Sequence, residues 1–555
     1  MSRFDYLLGR VTLDSANHHL YGGKLFADKE LFESAIKHYK KGLQMYEQLL
    51  DANDPLIANA YLNYSTVLRR VGSYDEAADL CQKAVVIYSN NSDREKDVQN
   101  AYTHLGISYM RGGEKEKALE ALLRSKALLA AQGNDVQTLA SLLYYIGSLY
   151  NDMERFDEAW DALNQSYEML SSLSEKDPTL EACLLLSMGV NLENTGNYED
   201  ALKYCTVAWH RQTEIKMSPL DIAVTEDHIA SINERLGEWE NAIKAYRLAI
   251  SIYREGYYQD HLSLLNWYKK IGNIEISHGL YSEAKGDYLS ALYHAKRLKD
   301  NSDFETADLY YAIGLTNYNA GEYYAACLDL KKALKLFQID QIHHMRELAL
   351  VYQQLGDCMA VIQNQKEKPE EYYLKAIACY HSITEQAPAS LCLKCGIYLI
   401  NAQRYKESQY CSEEALKGFT QALEQKPEEN LENSNDSLFS TIDGIAQCHY
   451  NIGFVHYVSV EYVSAAKEFI RAYVWYKYTL PLQPENPSTA ESLRVCEEQL
   501  KFIYDINSKD QALALNIFEK ACKELEIEHG IESDEFNVAK QWTQYAHSHP
   551  KIGDY

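Results

Sequence analysis

Apolar residues along this chain recur at steps of three, four and seven, the spacing that gathers side chains on one face of an α-helix. The helical segments come in pairs. A small residue marks the second segment of each pair: Ala35, Ala77, Ala118, Ala159, Ala201, Ala242, Ala284 and Ala326. Successive spacings are 42, 41, 41, 42, 41, 42 and 42 residues, so one unit repeats eight times in register. An aromatic residue stands three positions earlier in most units: Phe32, Tyr74, Phe156, Tyr198, Trp239, Tyr281 and Tyr323. Five positions earlier there is often glycine, as at Gly72, Gly113, Gly196, Gly237, Gly279 and Gly321. Twelve positions earlier another small residue recurs, at Gly106, Gly147, Gly189, Ala230, Gly272 and Gly314.

These offsets predict a helical hairpin. The small residues let its two helices approach closely, and the aromatics fill the space between neighbouring hairpins. The glycine before the aromatic falls where the chain leaves the first helix, a place that often requires positive φ. The acidic pairs Asp75-Glu76 and Asp157-Glu158 then fall in the first turn of the second helix, where the helix dipole favours negative charge.

The segments Leu105-Gly106-x-x-Tyr109 and Ile146-Gly147-x-x-Tyr150, with the alanines that follow, resemble the tetratricopeptide repeat signature. Asn197-Tyr198-Glu199-Asp200-Ala201-Leu202 resembles the start of that family's second helix. The resemblance covers roughly residues 16 to 475. It implies an all-α fold, a right-handed superhelical solenoid of about 11–12 helical hairpins. The family's usual unit is about 34 residues, whereas this one is 41 or 42. The long unit is similar to that of kinesin light chain repeats. No heptad pattern precedes the repeats, so the resemblance implies the repeat subclass and not the motor role.

Beyond Ala326 the register slips. Residues 1–340 read as the regular array of about eight repeats, and 341–480 as degenerate repeats with inserted loops near 363–371 and 425–440. Residues 481–555 read as a short proline-marked linker, a weak terminal repeat around Ala514, Phe518 and Ala521, and a capping helix with Trp542.

Composition narrows the function. Hydrophobic residues make up 46% and charged residues 24%, as in folded proteins. The formal net charge of −26 repels phosphate backbones and anionic lipids and favours a basic or neutral partner. Nucleic acid is not expected as a partner, and the many tyrosines fall at repeat core positions. No long apolar run and no signal-like N-terminal core occur, so a soluble, cytoplasmic protein without membrane insertion is expected. The 12 cysteines are scattered at helix core positions and read as buried free thiols in a reducing compartment.

No catalytic constellation emerges. Phosphate loops, zinc-protease motifs and nucleophile elbows are missing. Cys392-x-x-Cys395 lacks a second ligand pair and reads as core. No enzyme activity, metal or cofactor is therefore expected. What remains is the concave surface of stacked hairpins. The resemblance implies partner contacts at Asn63, Thr66, Thr103, Tyr144, Ser148, Asp227, Ser231, Asn266, Lys269, Asn273, Tyr311 and Asn451. Lys269-x-x-x-Asn273 matches one element of the family's carboxylate clamp, but the following units do not complete it. The expected function is an adaptor or scaffold that binds an extended or helical segment of another protein. A structural subunit of a cytoskeletal, motor or ciliary assembly, and a peptide-gated regulator, remain as alternatives. The oligomeric state is open.

Overall fold

A computed structural model describes residues 12–29, 31–133, 135–256, 261–298, 303–362, 366–425, 435–507 and 511–548. Met1 to Tyr6, most of the expected 425–440 loop and His549 lie outside the described residues. All regular structure among the described residues is helical. The chain divides into two compact units, Met1–Asp260 and His261–Tyr555, which are taken here in turn.

The first unit contains six hairpins. They are α1 (Leu13–Asp28) with α2 (Phe32–Leu49), α3 (Pro55–Arg70) with α4 (Tyr74–Ser89), and α5 (Glu95–Arg111) with α6 (Lys115–Ala131). Then come α7 (Val136–Asp152) with α8 (Phe156–Ser172), α9 (Pro178–Asn194) with α10 (Tyr198–Glu214), and α11 (Pro219–Arg235) with α12 (Trp239–Gly256).

The second unit contains five hairpins. They are α13 (His261–Ser277) with α14 (Tyr281–Ala295), α15 (Asp303–Asn319) with α16 (Tyr323–Phe337), and α17 (Met345–Ile362) with α18 (Pro369–Ser382). The last two are α19 (Ala389–Asn401) with α20 (Tyr405–Glu424), and α21 (Asn435–Val458) with α22 (Tyr462–Thr479). Three further helices follow: α23 (Pro487–Asn507), α24 (Gln511–His529) and α25 (Asp534–Ser548). Each unit is an all-α repeat solenoid, in agreement with the fold class read from the sequence.

Two local devices set the hairpin. Several first helices open on a side-chain cap. The Asp54 carboxylate accepts from the Leu56 amide at 2.9 Å, and Asp177 accepts from Thr179 and Leu180 at 2.9 and 3.2 Å, with Pro55 and Pro178 just inside. The second helices follow a left-handed turn instead. In the first such turn φ at Gly72 is +81°, and the Ser73 amide reaches back to the Leu68 carbonyl at 2.9 Å. This is the Schellman closure. The expected turn glycines Gly113, Gly196, Gly237, Gly279 and Gly321 all have positive φ. Where the sequence lacks glycine the geometry persists, with φ +59° at Glu154 and +66° at Val460.

The helical small residues make the hairpin tight. A Cβ on Gly147 would stand 2.7 Å from Leu163 Cγ, and one on Gly106 would stand 2.6 Å from Leu122 Cγ. The marker alanines Ala35, Ala77, Ala118, Ala159, Ala201, Ala242, Ala284 and Ala326 are all fully buried. Ten of the 12 cysteines are buried, including Cys392 and Cys395. Two inserted segments are shorter than the sequence suggests. Pro369 and Asn435 already begin helices α18 and α21. Pro369 starts a helix readily because its missing amide donor is not needed in a first turn.

Two stability changes follow. Gly147→Val should destabilise the first unit by about 1–3 kcal/mol, because Leu163 has no room to yield. Val460→Gly should stabilise the second unit by about 1 kcal/mol, since a β-branched residue is strained at positive φ. Denaturant midpoints of the full chain would measure both.

Candidate partner-binding surface

Within the first unit, the successive first helices α1, α3, α5, α7, α9 and α11 each pack against the next, while the second helices do not pack on one another to that extent. First helices therefore occupy the shorter, inner arc of this unit, where a repeat stack presents its concave face.

Polar contacts cross this inner face from helix to helix at a fixed step. Arg69 near the end of α3 reaches α5: its Nη1 donates to Ser108 Oγ at 3.2 Å and to the His104 carbonyl at 3.4 Å, and its Nη2 lies 3.2 Å from His104 Nδ1. Asn151 in α7 donates to the Ser187 carbonyl of α9 at 3.0 Å, and Asn191 donates back to Asn151 Oδ1 at 2.7 Å. In the next pair, His228 Nδ1 of α11 lies 2.8 Å from Glu193 Oε2 of α9. The main contacts span 35 or 36 residues, one repeat less about two helical turns.

Arg69 differs from its counterparts. Its remaining hydrogen-bond partners are Ser65 at 3.4 Å and Thr66 at 3.2 Å, so every one of these groups is neutral. No described carboxylate pairs with it. Burial lowers the guanidinium's affinity for its proton, and neighbouring Arg111 adds to that effect against opposing influences from Cys81 and Tyr145. Burial, with the Arg69 charge second, pushes His104 down to about 4. Beyond them, burial pushes the phenols of Tyr144 and Tyr145 up.

The sequence-derived contact residues fall unevenly on this geometry. Seven belong to the first unit. Asn63 and Thr66 are exposed on α3; Asn63 donates to Asn59 at 2.9 Å, and Thr66 accepts from Arg69. Thr103 is half-buried and turned toward the second helix of its own hairpin, with Ser125 Oγ at 2.8 Å. Tyr144, Ser148, Asp227 and Ser231 are half-buried.

Five belong to the second unit. Asn266 and Asn273 are exposed, and Tyr288 donates to Asn273 Oδ1 at 2.7 Å. Lys269 ion-pairs with Asp308 and, at 3.7 Å, with Glu305. Burial would depress its pKa, but the two carboxylates outweigh that and raise it. Burial pushes the Tyr311 phenol up to about 12. Asn451 is only 6% exposed.

His104, Tyr145, Ser187 and His228 were not among the expected positions. Each lies two residues before the hairpin's helical small residue: Gly106, Gly147, Gly189 and Ala230. That small residue faces the second helix, and two residues correspond to about 200° of rotation, the opposite side. Counting from the glycine would have found them.

These hairpins define a tetratricopeptide-repeat protein. The tetratricopeptide repeat family model matches residues 15–90. Kinesin light chain-related 3 of Arabidopsis thaliana is 26% identical over 273 residues, 49% of this chain and 42% of that protein. Kinesin light chain-related 1 of the same plant is 22% identical, over 53% of this chain and 48% of its own length. The match thus spans less than half the length of these relatives. Among solved structures, the signal transduction ATPase with a tetratricopeptide repeat sensor from Pyrococcus horikoshii overlaps 69% of this chain and 55% of its own. Its TM-score is 0.48, at 13% identity. The chain is, in particular, a tetratricopeptide-repeat protein similar to kinesin light chain repeats.

The His104 environment carries a pH signature. The folded chain keeps this imidazole neutral down to about 4, while the unfolded chain takes up the proton near 6.5. Between those values the unfolded state binds more protons, so stability falls as the pH falls through that window. His104→Gln should flatten this slope by about 2 kcal/mol between pH 6.5 and 4.5. Paired urea titrations of both chains would show it.

Proposed function

We propose that this chain is a protein-interaction scaffold whose first unit holds an extended or helical segment of a partner along its inner face. The observation that carries the reading is Arg69, a half-buried guanidinium on that face bonded only to neutral groups. A buried charge without a counter-ion is costly, and a carboxylate arriving with the partner relieves that cost. The segment accordingly carries an acidic side chain at the position opposite Arg69. Asn63 and Thr66 flank it on α3, and Tyr144 and Ser148 extend the contact along α7. The likeness to kinesin light chain-related proteins supports a scaffold in general. Neither Lys269 nor Asn451 is part of the proposal, because one charge is already matched and the other side chain is enclosed.

The partner preference at Arg69 runs opposite to that of the whole surface, whose −26 charge favours basic segments. Peptides bearing Asp or Glu, and their Asn or Gln counterparts, should therefore separate under calorimetric titration of the full chain. Arg69→Gln should weaken the acidic peptides about tenfold, and Arg69→Lys less. Val86→Ser, an exposed position on the second helix α4, should leave binding unchanged. Equal binding of acidic and amide peptides, together with no effect of Arg69→Gln, would refute the reading.

A further inference from the structure

The end of the second unit departs from the hairpin rule. α24 packs on α22 and α25 more than on α23, which precedes it. A recess of about 230 Å³ is left between α22, α23 and α25, lined by Tyr473, Glu497, Val538, Gln541, Trp542 and Tyr545. Three of the six lining side chains are aromatic, one is a carboxylate, and none is basic.

The aromatic walls are held from behind. Trp542 stacks on Phe518 with centroids 6.0 Å apart and planes at 17°. Tyr545 meets Tyr504 edge-on at 5.6 Å and 75°. The Trp542 and Tyr545 rings lie 5.3 Å apart at 63°, so they form two adjoining walls rather than a flat stack. These rings also close the terminal core, with Phe518, Leu525 and Val538 among its buried members. Capping accounts for the side of each ring that faces this core, and the recess lies on another side. Across it, the Glu497 carboxylate lies near enough to Tyr473 to add to the burial that pushes its phenol up. Glu497 is exposed, and no ion pair to it occurs among the described residues. Nearby Arg494 is engaged by Glu491 and Glu498.

Aromatic faces carry negative potential, and a carboxylate adds a full charge. A bare ammonium keeps its water in preference to such walls, whereas an alkylated ammonium is weakly hydrated and offers methyl groups to the rings. We propose that this recess binds a methylated ammonium group, such as a trimethyl-lysine side chain or a free quaternary amine. The site lies on α22, α23 and α25 and does not depend on the first unit's inner face.

Calorimetric titration of the full chain with choline and with its neutral isostere 3,3-dimethyl-1-butanol separates charge from shape. Choline should bind about tenfold more tightly. Glu497→Gln, an exposed change that keeps the fold, should weaken choline several-fold and leave the isostere unchanged. Trp542→Leu should abolish both, with the circular dichroism melt reporting whether the unit remains folded. A trimethyl-lysine peptide binding more tightly than choline and than its unmodified form assigns the source to a protein. Choline binding more tightly than the peptide assigns it to a small molecule. Equal affinity for choline and its isostere, choline affinity unchanged in Glu497→Gln, or no saturable binding overturns the proposal.

Discussion

Everything in this fold depends on how closely the two helices of a hairpin approach. A helical glycine or other small residue in the first helix faces a residue sixteen positions later in the second. The pairs are Gly106 with Leu122, Gly147 with Leu163, Gly189 with Cys205, Gly272 with Tyr288 and Gly314 with Leu330. A Cβ at any of these glycines would sit 2.5 to 2.8 Å from its partner. The partner varies from a thiol to a phenol, while the position facing it stays small. Close packing explains the asymmetry: one side of the contact must be backbone, and the other side then fills whatever space the neighbouring hairpin leaves. Ala230 holds the equivalent position sixteen residues before Tyr246, and both are fully buried.

Tight hairpins have a consequence at the next level. In the first unit, first helices meet first helices, and polar groups on them are brought within hydrogen-bond reach at one repeat less two turns. Arg69 with His104, Asn151 with Ser187 and Glu193 with His228 are three chemistries in one geometric slot. Two of them satisfy both members. The Arg69 slot supplies hydrogen bonds but no opposite charge, and so it is the one that a carboxylate could complete.

The hairpins were readable because three independent signals coincide in most units: a turn glycine, an aromatic staple and a small helical contact. Loss of one signal did not move the boundary, as Glu154 shows by taking the left-handed turn without being glycine. The inner face was harder to read. Most contact positions carried over by likeness fall three residues before or one after the helical small residue, which puts Thr103 against Ser125 inside its own hairpin. The side opposite the second helix begins two residues before that glycine. An error of a single residue turns a helical position by about 100°, enough to move a side chain from the surface into the packing. The terminal helices were read as a weak repeat and a capping helix, because the Pro481 to Pro487 segment interrupts the repeat and no periodicity carries over to say which helix α24 would choose.

Composition misleads about the inner faces for a related reason. An excess of acidic residues suggests a uniformly negative protein, yet first-helix charges are largely matched locally. Lys269 meets Asp308 and Glu305, and Lys394 meets Asp357 at 2.8 Å. Matched pairs contribute little field beyond a Debye length, about 8 Å at physiological salt. The surplus of negative charge is then left to exposed positions, and the potential felt by a bound segment is set by the few groups without a partner of opposite sign. For that reason a strongly acidic chain can present a cationic point at Arg69, which net charge alone would not foretell.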